Sequence, residues 1–71
     1  MTAKEMFEKL GYEIDTTNDR MLRYGKGYTA KIEFDLIYHN FYKYNDSGFR
    51  SPIDIELLQA INKQVEELGW K

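Results

Sequence analysis

The pattern of apolar and polar side chains is clearest in residues 28–36, which read Tyr-Thr-Ala-Lys-Ile-Glu-Phe-Asp-Leu. Because successive side chains of a β-strand point to opposite faces, this strict alternation predicts a half-buried strand. Its inner face carries Tyr28, Ala30, Ile32, Phe34 and Leu36, and its outer face carries Thr29, Lys31, Glu33 and Asp35. The strand therefore sets the phase of its neighbours in the sheet.

Two shorter strands are predicted before it, at residues 12–15 and 20–24, joined by a polar turn at 16–19. In the register that keeps their apolar residues together, Tyr12 faces Tyr24 and Ile14 faces Leu22. A three-residue loop, Gly25-Lys26-Gly27, then pairs Tyr24 with Tyr28 and Leu22 with Ala30. The apolar residues of all three strands then lie on one face.

The fourth strand allows two registers. A two-residue loop at His39-Asn40 would pair Leu36 with Lys43 and direct the lysine into the core. A three-residue loop, Tyr38-His39-Asn40, instead pairs Leu36 with Tyr42 and Phe34 with Tyr44, with Asn40 in the left-handed conformation. We favour the second register, which also pairs Ile37 with Phe41 on the outer face.

A helix is predicted at each end of the chain. At the start, Thr2 and Glu5 form a capping box for a helix over residues 2–10, and Gly11 ends it. The second helix is predicted to begin at Ser51-Pro52 and to end at Leu68. Its expected buried stripe is Leu57, Leu58, Ile61, Val65 and Leu68, with Ile53 joining at the start.

The helix ends are similar in sequence, Leu10-Gly11-Tyr12 and Leu68-Gly69-Trp70. This similarity predicts a glycine cap with an aromatic residue that folds back on the last turn, in preference to an internal repeat. The predicted fold is a single α+β domain over residues 1–71, with two layers. A four-stranded antiparallel meander lies between two helices in the chain, and both helices cover one face of the sheet.

Size and composition exclude several classes of protein. A chain of 71 residues forms one thin core, which leaves little room for an internal substrate cavity. No cysteine is present, which excludes disulfides and thiolate metal sites and suits a reducing cytoplasm. The N-terminus lacks the apolar segment of a signal peptide, and no apolar run is long enough to span a bilayer. We therefore expect a cytoplasmic location.

Catalytic chemistry has little support in the sequence. His39 is the sole histidine, and the preferred register places it at an exposed hairpin tip, away from any pocket. A metal site would need several ligands, and the carboxylates follow no motif spacing. We therefore expect no catalytic residue, no metal, no cofactor and no enzymatic activity.

Four basic residues, Arg20, Arg23, Lys26 and Lys31, follow one another without an acidic residue between them. They are candidates for contact with phosphate or with an acidic partner. The alternative is a solvated hairpin, because Glu13, Asp15, Glu33 and Asp35 would offset much of the positive charge. The net charge of −2 also argues against general binding of nucleic acid.

Tyrosine-rich strands suggest base stacking on an open sheet, but the preferred phase argues against it. This phase places five tyrosines beneath the helices: Tyr12, Tyr24, Tyr28, Tyr42 and Tyr44. The outer face keeps a small apolar group, Met21, Ile37 and Phe41, with Tyr38 at the hairpin tip. Exposed contiguous apolar residues often mark a contact surface, although singly exposed ones are normal.

Three segments of the chain, at residues 2–12, 32–35 and 56–70, carry a resemblance that extends over nearly the whole chain. They resemble small uncharacterised proteins encoded by phages, prophages and related mobile elements of Gram-positive bacteria. It implies a cytoplasmic accessory protein that acts by binding, and it implies no catalytic residue.

The expected function is a non-enzymatic binding module that contacts a host or phage protein through the outer sheet face or an exposed edge strand. A homodimer through the sheet is a second arrangement that would hide Phe41. The alternative function is a nucleic-acid-associated regulator that uses the four basic residues.

Overall fold

The computed structural model describes residues 1–27, 30–45 and 53–70. In chain order, the elements are α1 (Ala3–Lys9), β1 (Glu13–Thr17), β2 (Met21–Lys26), β3 (Ala30–Asp35), β4 (Asn40–Tyr44) and α2 (Ile55–Glu67). The strands form one antiparallel sheet in the order β1-β2-β3-β4. The predicted α+β class and the order helix, meander, helix are confirmed.

The core lies between the helices and the inner face of the sheet. Phe7 of α1 stacks on Tyr24 of β2 with ring centroids 4.0 Å apart, and both rings meet the edge of Phe34 on β3. The core cluster is Phe7, Tyr12, Leu22, Tyr24, Ala30, Ile32, Phe34, Leu57, Ala60 and Ile61. The predicted inner positions of the first three strands are therefore buried, with three exceptions: Ile14 is exposed at the edge, Leu36 is half-buried, and Tyr28 lies outside the described residues.

The helix ends follow the predicted chemistry. The Thr2 hydroxyl accepts from the Glu5 N–H, and the Glu5 carboxylate accepts from the Thr2 N–H, which completes the capping box. The amide of the aromatic residue after each glycine donates back into its helix, Tyr12 to the Phe7 carbonyl and Trp70 to the Val65 carbonyl. Both glycines have positive φ, so the matching helix ends are two Schellman caps.

The beginning of α2 differs from the prediction. Asp54 is the N-cap, and its carboxylate accepts from the Leu57 N–H at 2.8 Å. The predicted start at Ser51-Pro52 lies outside the described residues. Because the helix begins later, Ile53 precedes it and is exposed, and Leu58 is exposed as well. The buried positions that the prediction omitted are Ala60 and Gln64.

In the hairpin between β2 and β3, β2 extends further than predicted, and the same side chains still lie on the inner face. β2 continues through Gly25 to Lys26, and Tyr24 pairs with Ile32 instead of Tyr28. The shift of four residues is even, so the inner face is preserved. Gly25 pairs within the ladder at a crowded position, where a Cβ would lie 3.3 Å from both the Asp15 carboxylate and the Lys31 ammonium.

β1 pairs with β2 two residues further along than predicted, so that Ile14 faces Tyr24. The ladder then shifts between Ile14 and Thr16, and this bulge leaves Asp15 as the extra residue. The bulge directs both Asp15 and Thr16 towards Arg23 on the outer face.

The predicted register of β4 is wrong. Phe34 pairs with Phe41, and Ile32 pairs with Lys43, across a four-residue loop at residues 36–39. This change is odd in number, so every side chain of β4 moves to the other face. Phe41 lies on the inner side beside Phe34, with ring centroids 6.0 Å apart, while Tyr42 and Tyr44 lie on the outer face.

The position of β4 at the edge of the sheet explains why this register is stable. Among the described strands, β4 has a neighbour on one side, so the half-buried Lys43 stem can cover Ile32 while its ammonium group reaches the boundary of the sheet. On the outer face the Tyr42 phenol is exposed and the Tyr44 hydroxyl donates to Glu33, while Phe41 takes the apolar inner position. An inward-pointing lysine also discourages pairing with a strand of another chain.

The central hydrogen bond between sheet and helix gives a stability prediction. The buried Tyr24 hydroxyl donates to the Gln64 Oε1 at 2.6 Å. Tyr24→Phe leaves this acceptor buried without its donor, so we expect a loss of about 1–3 kcal/mol in the free energy of unfolding, measured by urea denaturation.

The double variant Tyr24→Phe, Gln64→Leu removes both polar groups and should recover most of this loss. Tyr38→Phe, at an exposed tyrosine, is the matched control and should change little. Equal stabilities for Tyr24→Phe and Tyr38→Phe would contradict the assigned role of the bond.

The edge position of Lys43 gives a second prediction. Lys43→Val makes the inner side of β4 uniformly apolar, so we expect concentration-dependent self-association, measured by analytical ultracentrifugation. Lys63→Val, at a partly exposed lysine of α2, is the control and should leave the mass of the parent protein unchanged. A Lys43→Val protein that sediments like its parent would show that the lysine does not protect this edge.

Candidate interaction surface

Neither described helix covers the outer face of the sheet, because both pack against the other face. Cross-strand pairs assign its residues: Arg23 faces Glu33, Glu33 faces Tyr42, and Lys31 faces Tyr44. The charged side chains of this face are Glu13, Asp15, Arg23, Lys31, Glu33 and Asp35. Carboxylates therefore outnumber cations on the described part of this face.

Asp15 is the centre of an ion-pair network on this face. Its carboxylate lies 2.8 Å from the Lys31 Nζ and 3.3 Å from the Arg23 Nη2, and the Thr16 hydroxyl donates to it at 3.1 Å. The Lys31 hydrogen bond, followed by that of Thr16, lowers the pKa of Asp15 to about 2. Asp15 is therefore ionised throughout the neutral range.

Arg23 extends the network towards β4. Its guanidinium lies 3.7 Å from the Glu33 carboxylate, which also accepts from the Tyr44 hydroxyl at 3.3 Å. Tyr44 and then Asp15 raise the pKa of Arg23, so it stays charged. Side-chain contacts thus connect β1 to β4 across the whole outer face.

The four basic candidates do not form one lobe. Arg23 and Lys31 are held by carboxylates of the network. Lys26 lies at the far end of β2, with its ammonium 5.8 Å from the centre of the Tyr12 ring. Arg20 lies in the turn between β1 and β2, where its backbone N–H donates to the Asn18 side chain. The four residues therefore lie in different places, and two of them are already paired with carboxylates.

The β3–β4 loop is held at two points. The Asp35 Oδ1 accepts from the backbone N–H groups of Ile37 and Tyr38, at 2.9 and 3.0 Å. At the other end, His39 adopts a positive φ of 59° and its ring stacks on Trp70, with centroids 4.8 Å apart and planes 10° apart. The prediction placed Asn40 in the left-handed conformation, but His39 adopts it.

The apolar candidates fall into two groups. Met21 is half-buried on the outer face opposite Asp35, whereas Ile37 and Tyr38 lie in the loop and are 58% and 76% exposed. Phe41 is 41% exposed on the inner side at the sheet edge, so it does not pair with Ile37 on the outer face. The predicted outer-face pair does not exist.

Tyr42 is predicted on the inner face of the sheet but lies on the outer face. It is 49% exposed on the outer face, two residues from Asn40 and opposite Glu33. We define the hairpin-tip surface as four exposed side chains at this end of the sheet, those of Ile37, Tyr38, Phe41 and Tyr42, with Phe41 on its inner side and Tyr42 on its outer side. The run Phe-Tyr-Lys-Tyr in β4 is consistent with the observed phase. If the phenylalanine faces inwards, both tyrosines face outwards, where their hydroxyls can reach polar partners.

Other arrangements in the described residues offer less chemistry. His39 is exposed and stacks on Trp70, and no group of three or more metal-binding side chains occurs in the described ranges. A shallow groove of about 180 Å³ runs between the helices and is lined by Met1, Met6, Lys9, Leu10, Glu56 and Gln59. Neither helix, as far as the structure describes the chain, has the length and apolar character needed to cross a bilayer.

Comparisons with protein-family models, with curated proteins and with solved structures gave no match to this chain. The resemblance to phage and prophage proteins therefore stays a prediction from the sequence.

The ion-pair network predicts a change of stability in acid. The pKa of Asp15 is about 2 in the folded protein and 3.8 ordinarily, so its contribution is present above pH 3.8 and is lost as the pH falls through about 2. We expect Asp15→Asn to flatten the loss of stability between these values, measured by urea denaturation across the acid range.

Asp19→Asn, in the exposed turn between β1 and β2, is the matched control and should keep the acid dependence of the parent protein. An Asp15→Asn protein whose stability falls with acid as steeply as the parent's would contradict the central role of this carboxylate.

Proposed function

We propose that this chain is a non-enzymatic binding protein that contacts another protein through the hairpin-tip surface. The observation that supports this proposal most directly is the exposure of Ile37 and Tyr38 in a loop held at both ends. Exposed neighbouring apolar groups are typical of contact sites. Because the Asp35 hydrogen bonds and the His39–Trp70 stack already order the loop, a partner would bind at a reduced entropic cost.

The geometry favours contact by side chains over addition of a strand. One edge of the sheet, β1, is interrupted by a bulge, and the other edge, β4, carries the inward-pointing Lys43. Both features discourage edge-to-edge pairing, including a homodimer formed through the edge strands. The loop and the adjoining end of the outer face have neither obstacle.

The biological setting in this proposal is that of a cytoplasmic accessory protein of a phage or mobile element in a Gram-positive bacterium. The support is the resemblance of the two helical segments and of Ile32–Asp35 to such proteins. The partner would then be a host or phage protein.

The alternative, a nucleic-acid-associated regulator, has weaker support. Tyr42 and Tyr44 lie on the outer face, where a tyrosine ring can stack on a base. However, Arg23 and Lys31 are paired with carboxylates, and the face carries an excess of negative charge that would repel phosphates. Titration of single-stranded DNA and RNA at low salt distinguishes the two functions.

The test of the protein contact is the double variant Ile37→Asp, Tyr38→Asp. We expect it to keep the fold and to lose proteins that the parent chain captures from lysate of a Gram-positive host, with at least about tenfold weaker binding to a purified partner. Circular dichroism measures the fold, and calorimetry measures the affinity.

Ile55→Asp is the matched control, because Ile55 is 68% exposed at the start of α2 and lies outside the hairpin-tip surface. It should keep every captured partner. Retention of all partners by the folded double variant would refute the proposed contact surface.

A further inference from the structure

The outer face beside the hairpin tip carries the carboxylates of Glu33 and Asp35, and their negative charge favours a positively charged partner. We propose that the partner presents an arginine-bearing basic segment, which docks on Tyr42 and Tyr38 against the Asp35 and Glu33 carboxylates. This inference rests on the proposed function, because it assigns the chemistry of the partner at the same surface.

The described cationic side chains of the outer face form ion pairs with carboxylates of the same face. Lys31 and Arg23 both lie against Asp15, on the β1 side of the sheet. In the described part of the chain, no cationic side chain lies within 4 Å of Asp35, and Glu33 shares Arg23 at the longer distance of 3.7 Å. Among the described residues of the outer face, Glu33 and Asp35 on the β3–β4 side are therefore less closely paired with cations than Asp15, and Glu33 lies opposite the exposed Tyr42.

Cross-strand pairing brings this charge and the rings together. Glu33 faces Tyr42 directly, and Asp35 faces Asn40, so Asp35 and Tyr42 are diagonal neighbours on one face. Tyr38 follows Asp35 in the loop and donates its N–H to the same carboxylate. One cationic group on this surface can therefore contact an aromatic ring and a carboxylate at once.

A guanidinium fits this pair of groups better than an ammonium. It is planar, so it can stack on a tyrosine ring while its edge donates two hydrogen bonds to a carboxylate. An acidic partner or nucleic acid would bring like charges together. A second copy related by a two-fold axis would place the Asp35 carboxylates of both copies in one interface. Charge complementarity therefore favours a basic protein segment.

The experiment follows backbone amide signals of the labelled full chain by NMR during titration with three synthetic peptides. They have a common glycine–serine background and carry arginine, lysine or glutamate at the same positions. We expect the arginine peptide to shift the signals of Glu33, Asp35, Tyr38 and Tyr42, and the lysine peptide to bind roughly threefold to tenfold more weakly. The glutamate peptide should leave these signals in place.

Two variants separate the charge from the ring. Asp35→Asn keeps an oxygen that can accept from the loop N–H groups and removes the charge, and Tyr42→Leu keeps apolar area and removes the π face. Each should weaken binding of the arginine peptide by roughly threefold to tenfold. Glu66→Gln, on the exposed side of α2, is the control for net charge and should leave the affinity unchanged.

Three results would overturn the inference: equal affinity for the arginine and lysine peptides, equal affinity for the arginine peptide and for oligothymidylate titrated in the same way, or an Asp35→Asn affinity equal to that of the parent protein. These results are separable from failure of the proposed function. If a captured partner is lost with Ile37→Asp, Tyr38→Asp and kept with Asp35→Asn, the contact surface stands and the arginine assignment falls. If the double variant keeps every partner, the contact surface falls, and the peptide titration still decides the charge preference.

Discussion

The phenol of Tyr24 joins both helices to the sheet. Its ring stacks on Phe7 of α1, its hydroxyl donates to Gln64 of α2, and its strand pairs with Ile14 on one side and Ile32 on the other. Burial raises the pKa of this phenol to about 12, and the negative charges of Glu67 and Glu8 add to the effect. In a thin core, one large side chain with a polar tip thus contacts both helices and the neighbouring strand at once.

The parity of strand registers explains how much of the fold could be predicted. An even error leaves every side chain on its face, so the mispaired β2–β3 hairpin still gave the correct core positions. An odd error moves every side chain of the strand to the opposite face, as happens in the predicted register of β4. The physical cause is its place at the edge, where burying a lysine stem costs little, together with aromatic residues at both inner and outer positions. The start of α2 was ambiguous because Ser51 and Asp54 are both good N-caps.

The candidate site was predictable only where local chemistry dominates. The exposure of Ile37 and Tyr38 follows from any hairpin near residues 36–40, since loop tips are solvated. Two features needed the long-range register: Tyr42 on the open face and Phe41 against Phe34. The contacts of Asp15 with Arg23 and Lys31 occur at the β1 bulge, which the alternating pattern does not reveal. The expected offset by Asp15 and Glu33 nevertheless appears as direct ion pairs.

The stack of His39 on Trp70 has a consequence for the order of folding. The sheet hairpins join segments that are close in the chain, whereas this stack joins a loop to a residue beyond the last helix. Contacts between distant residues form after local ones, because closing a long loop costs entropy. The meander can therefore pair first, and its β3–β4 loop reaches its final shape only when α2 has docked and its Schellman cap has turned Trp70 back. During synthesis, the hairpin tip would leave the ribosome before the residue that orders it.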